Sequence, residues 1–203
     1  MTHSSIAIAP NVSEFFQEVL TDAIRVRQVE ATDEAASYLV SLLCEYAHPD
    51  EAAGSTFGTP LTFQLRDAMA ANGAERFKRL RSLGDHVLYA LGFFGDHIEV
   101  KGIDRSYVVT VGQSAYQHAA AMLRLKARMT EQGPNVLSEL ASKFDRFADV
   151  LRDVAEGTLA SNARDQRSVL KLYERWLKTG SARLAEELGA HGIIPNRGSG
   201  GLN

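Results

Sequence analysis

Apolar residues recur at steps of three and four along almost the whole of this 203-residue chain, and all five prolines fall at the edges of those runs. A sustained 3.6-residue period selects helix over strand, and proline is excluded from helix interiors because it lacks an N–H and clashes with the preceding turn. The expected fold class is all-α, a single multi-helix bundle of about seven to eight helices joined by short connections.

The period divides the chain into eight segments. Residues 12–29 place Phe15, Phe16, Val19, Ala23 and Val26 on one side, with Asn11 and Glu14 in capping-box spacing. Residues 33–47 follow Thr32 as N-cap and turn Leu39, Leu42, Leu43 and Tyr46 inward. A loop is expected over 49–58, then Thr59-Pro60 as cap and first residue of a third helix ending near Asn72. Residues 74–97 and 105–130, the latter opened by Asp104, are apolar around much of their circumference and belong at the centre of the bundle. The β-branched run 107–111 has strand character. The stripe Val108, Val111, Ala115, Met122, Leu125, Met129 passes through it, so helix is expected. A sixth helix over 135–156 carries Leu137, Leu140, Phe144, Phe147, Leu151 and Val154 inside, with Asp145, Asp149 and Asp153 facing solvent. A seventh over 163–178, begun by Asn162, turns Val169, Leu172, Tyr173, Trp176 and Leu177 inward, and Ser181 caps an eighth over 182–189. Residues 1–195 are expected to form one helical domain, with a mobile glycine-rich tail over 196–203.

Composition narrows the function classes. Hydrophobic residues at 45% with 23% charged residues describe a globular chain rather than a disordered or collagenous one. The single cysteine, Cys44, cannot form an internal disulfide, and its apolar helical setting reads as inert. The first ten residues carry no Lys or Arg, and no apolar run approaches the ~20 residues of a membrane span. A cytoplasmic location without membrane partners is expected.

Charge is unevenly spread. Residues 1–60 hold nine acids against Arg25 and Arg27, a net of −7, and the remainder carries +4. Arg76, Lys78, Arg79 and Arg81 crowd the start of the fourth helix, and Arg164, Arg167, Lys171, Arg175 and Lys178 form a basic ridge on the seventh. Such charges read either as a solvated face, partly paired with the acidic first helices, or as a surface for an acidic partner, a protein rather than a nucleic acid because the total charge is only −3. The run 184–189 looks like the first helix of a helix-turn-helix, but no recognition helix follows it.

Two constellations carry possible chemistry. Glu45-x-x-His48 has the i, i+3 spacing used in carboxylate di-iron bundles. Asp85 and Asp96, eleven residues apart and so nearly on one side of the fourth helix, and His118 on the fifth would complete a ligand set for iron or manganese. The set has only one Glu-x-x-His, and His48 adjoins Pro49 where the helix ends. The second is a polar centre of Asp85, Tyr89, Tyr107, Tyr116 and His118. A buried carboxylate must be paired, here by a Tyr hydroxyl or an Arg of the 76–81 turn. It would then serve either as a structural tie or as a binding or proton-transfer group. Gly84, Gly92, Gly95 and Gly112 would allow close helix approach or leave a cavity beside it. Phosphate-loop, nucleophile-elbow and Cys-x-x-Cys motifs are lacking.

The run Leu83-Gly84-Asp85-x-x-Leu88-Tyr89-x-x-Gly92-Phe93-Phe94-x-Asp96, with Tyr107, Gly112-x-x-Ala115-Tyr116 and Tyr173-Glu174-Arg175-Trp176-Leu177-x-Thr179-Gly180-Ser181, resembles a group of uncharacterised bacterial helical proteins over about the last two-thirds of the chain. That resemblance implies an all-helical fold and carries no activity. The residues favour a non-enzymatic interaction or regulatory protein that binds a protein partner or associates with itself. A metal-dependent bundle oxidoreductase and a small-molecule site near Asp85 and Tyr116 stay open beside it.

Overall fold

A computed structural model describes residues 10–46, 59–127, 135–161 and 166–196. It is all-α, with nine helices and no strand among the described residues: α1 (Pro10–Val26), α2 (Asp33–Tyr46), α3 (Leu61–Ala70), α4 (Gly73–Val100), α5 (Arg105–Ala127), α6 (Val136–Ser142), α7 (Phe144–Ser161), α8 (Gln166–Thr179) and α9 (Ala182–Ala190). The loop over 49–58, Asn162, Arg164 and residues 197–203 of the expected tail lie outside the described residues. The β-branched run 107–111 is helical, because its Val108 and Val111 are buried on the stripe that the whole of α5 shares.

The count exceeds eight because the expected sixth helix is broken at Lys143, which has φ −110° and ψ 19°. Its ammonium donates to the Glu30 carbonyl at 2.6 Å and to Glu139 at 3.1 Å, so the break is fastened to the chain ahead of α2. The apolar stripe still runs across the break. Helix starts follow the expected caps at Thr32, Asp104 and Ser181, whose side chains accept from the N–H groups of Ala35, Tyr107 and Leu184. Thr59 does not cap α3. Pro60 is the N-cap, and the Thr62 N–H donates to the Tyr107 hydroxyl at 3.1 Å, so α5 supplies an acceptor to the first turn of α3.

The first helix ends at Val26 rather than 29. Gln28 adopts φ 51°, and the Val29 and Gln28 N–H groups donate to the carbonyls of Ile24 and Arg25, a Schellman closure with a non-glycine residue in the left-handed position. Val26, expected inside, is therefore exposed at the helix end. A Cβ costs about 1–2 kcal/mol in that conformation. Gln28→Gly is expected to raise stability by about 0.5–1 kcal/mol net of glycine's extra chain entropy, read as a higher urea midpoint.

The chain separates into two compact units, one up to Arg152 and one from Asp153 onward, with α7 contributing to both. In the first, α1 pairs with α2, α4 with α5, and α3 lies against α4 and α5, while α6 packs on α5 and α2. Glycines set the closest approaches. A Cβ on Gly112 would overlap the Phe144 ring, one on Gly92 would overlap Leu151 Cβ, and one on Gly84 would stand 2.6 Å from the Tyr116 ring. The space that the missing side chains leave is filled by these neighbours. Asp149 is half-buried rather than solvent-facing, because Arg105 at the start of α5 donates to it at 2.9 Å and to Asp145 at 2.6 Å. In the second unit Ala160, Leu172, Trp176, Leu184 and Leu188 make a small core. The buried Glu156 carboxylate there accepts from the Ser181 hydroxyl at 2.6 Å.

Candidate functional site

Asp85 lies two turns into the apolar part of α4 and is 7% exposed. Its Oδ1 accepts from the Tyr38 hydroxyl of α2 at 2.6 Å and from the Tyr116 hydroxyl of α5 at 2.7 Å. Its Oδ2 faces Arg81 Nε, one turn back on α4, at 3.5 Å. Arg81 Nε–H also donates to the Tyr38 oxygen at 2.9 Å, and its guanidinium lies 5.3 Å from the centre of that ring. One carboxylate thus gathers side chains from three helices.

Electrostatics follow the burial. Loss of solvent raises the Asp85 carboxyl above its ordinary range, and Glu45 adds to the rise, while both tyrosine hydroxyls and Arg81 pull against it. Burial, then the Asp85 charge, pushes the Tyr116 hydroxyl well above its usual value, and the same two causes lead at Tyr38. Both phenols therefore stay protonated and act as donors. Two donors occupy Oδ1, and Arg81 stands beside Oδ2. Chemically the arrangement is a tie fixing the register of α2, α4 and α5.

The other residues expected at this centre lie elsewhere. Tyr89 stacks between Tyr46 and Phe93, with centroids 4.5 Å apart on each side. Tyr107 serves α3. His118 is exposed on the outer face of α5, contrary to the expectation of an apolar seam, because the buried positions there are Ala115, Tyr116, Ala119 and Ala120. Tyr38 was not among the expected members. It falls between Ala35 and Leu42 on the edge of the α2 stripe, a spacing of three and four that marks it as half-buried.

The expected metal ligands are not brought together. Glu45 is exposed on α2, Asp96 is half-buried about 16 Å along α4 from Asp85, His118 faces outward, and His48 lies outside the described residues. Among the described residues no three His, Cys, Asp or Glu side chains gather as a metal set.

Beside the Asp85 tie, α3 and α4 leave an open groove of about 500 Å³ lined by Gln64, Asp67, Lys78, Arg79, Ser82 and His86, among others. Its charges are largely matched at home: Arg79 pairs with Glu75 at 2.7 Å and Arg66 with Asp67 at 2.8 Å. His86 Nδ1 lies 2.6 Å from the Ser82 carbonyl, which can only accept, so Nδ1 carries the proton.

On α8 the described part of the basic ridge faces solvent at Arg167, Lys171 and Lys178, with Arg175 half-buried, and none of the first three makes an ion pair among the described residues. Two leucines adjoin them. Leu177, expected inside, is 45% exposed, and Leu170, one heptad earlier on the same stripe, is 56% exposed. They lie off the face of α8 that carries Leu172 and Trp176 into this small core, with Val169 and Tyr173 packed beside them. No helix among the described residues is long and apolar enough to cross a membrane. In comparisons with known proteins, the chain matches no family model, no curated protein and no solved structure.

Proposed function

We propose that this is a non-enzymatic, cytoplasmic helical interaction protein that docks an acidic, amphipathic protein partner on the outer face of α8. The observation that carries it is the pairing of Arg167, Lys171 and Lys178, all exposed and without an ion-pair partner among the described residues, with the exposed Leu170 and Leu177. A surface that combines unmatched like charges with apolar side chains costs solubility and is kept where something covers it. Three exposed cations against the single exposed Glu174 on that face favour a partner of net negative charge. Against an enzyme stands the tie at Asp85, the most buried described carboxylate of the first unit, whose Oδ1 is held by hydroxyls from two neighbouring helices. The single buried cysteine accords with a reducing compartment.

The test uses a helical peptide with glutamates at i, i+4 spacing beside leucines at i, i+7, followed by fluorescence anisotropy. Binding is expected to weaken with salt, because exposed charges are screened within about 10 Å at 0.1 M. Lys171→Glu/Lys178→Glu is expected to weaken it at least tenfold, about 1.4 kcal/mol. No binding at low salt, or equal binding by the variant, would remove α8 from the function.

A further inference from the structure

We infer that the partner covering α8 is α1 of a second copy of this chain, an inference that rests on the docking role of α8 proposed above. On α1 the solvent face carries Glu14 and Glu18, both exposed and neither in an ion pair among the described residues. The next acid on that side, Asp22, is already engaged by Arg25 at 2.5 Å. On α8 Arg167 and Lys171 are likewise four residues apart, with Lys178 seven further on. Four residues of helix rise about 6 Å on either element, so two helices laid antiparallel meet Glu18 against Arg167 and Glu14 against Lys171, and Glu174, exposed on the same face of α8, falls beyond both acids. The segregation of charge along the chain has the same sense: residues 1–60 are net −7 and the rest +4, so each copy carries both halves of the match. Leu170 and Leu177 on α8 give the contact its apolar part.

Because the two surfaces differ, the contact is heterologous. It closes either as a reciprocal dimer, with each α1 on the other copy's α8, or head to tail as a ring or a chain. Salt weakens it, since every charge involved is exposed.

Sedimentation velocity of the full chain tests this. The wild-type protein is expected to sediment as a dimer or larger species at low ionic strength, and as monomer at high. Glu14→Lys/Glu18→Lys makes both surfaces basic, and Lys171→Glu/Lys178→Glu makes both acidic, so each variant alone is expected to stay monomeric under conditions where the wild type assembles. Mixed in equal amounts they are complementary again at both surfaces, and the assembled species are expected to return. A wild type that is monomeric at low salt, or a mixture that stays monomeric, overturns the inference. Binding of the glutamate–leucine peptide by such a monomer would show that α8 docks an acidic helix belonging to another protein. Loss of both would end the docking role as well.

Discussion

Asp85→Ala is expected to destabilise the first unit by about 3 kcal/mol, read from urea or thermal unfolding. The methyl group removes the acceptor of two hydroxyls at once. The Tyr116 side chain is fully buried and has no other acceptor among the described residues, while Tyr38 keeps its contact with Arg81. An orphaned buried donor such as Tyr116 costs about 1–3 kcal/mol, and half-buried Tyr38 adds to the loss. Asp85→Asn separates charge from hydrogen bonding. Its amide oxygen can take both hydroxyls, since both donate to the same Oδ1, so it is expected to retain most of the stability that alanine loses.

The same pair of proteins reports the ionisation. Burial holds the Asp85 carboxyl above its ordinary value of 3.8 in the folded state. An acid whose pKa is raised on folding binds its proton more tightly when folded, so its contribution is complete below the unfolded value and is lost as pH rises through the folded one. Wild type is therefore expected to lose stability relative to Asp85→Asn on going from pH 4 upward through the raised value, then run parallel to it. A gap between the two that widens in favour of wild type over that range would mean that the Arg81 and tyrosine contacts outweigh desolvation.

The second large effect is expected at Gly92. Gly92→Ala sets a Cβ into Leu151 Cβ and 3.2 Å from the Leu151 carbonyl carbon, so relief requires α4 and α7 to part along their backbones. Overpacking of this kind costs about 3 kcal/mol, at the upper end of its usual range. Truncating Leu151 to alanine gives no relief, because the overlapping atom is the Cβ that alanine keeps. Gly95, one turn on, is the control. The nearest atom to a Cβ there is Arg152 Nη2 at 3.7 Å, so Gly95→Ala is expected to be neutral or to gain up to about 1 kcal/mol of helix propensity. Equal losses at the two positions would show that the glycines serve backbone flexibility at the non-helical Phe94 rather than helix approach.

Most of the helix boundaries were legible in the sequence because they are local. Asp104, Thr32 and Ser181 are caps by virtue of the N–H groups two or three residues away, and a 3.6-residue stripe settles 107–111 as helix whatever the tertiary setting. The places that escaped are those where a distant residue decides. Thr59 is an able cap by type, yet Tyr107 from α5 holds the acceptor position. Lys143 sits in an unbroken apolar stripe, yet its ammonium is drawn to the Glu30 carbonyl 113 residues earlier. Leu177 fits the inner periodicity of its helix, yet the core between α8 and α9 is too small to take it.

The polar centre divides the same way. That Asp85 had to be paired follows from the cost of a lone charge among Leu83, Val87 and Leu88, and the residue types able to pair it could be listed from the chain. Which of them reach it depends on how three helices cross. Tyr38 and Tyr116 converge on one oxygen while Tyr89, Tyr107 and His118 do not, although all five are equally good partners by composition. Periodicity, capping and charge segregation are properties of residues within a turn or two of each other, and the order of the chain fixes them. Convergence on Asp85, the fit of Tyr116 against Gly84 and the exposure of the α8 leucines depend on distances between segments tens of residues apart, which packing alone sets.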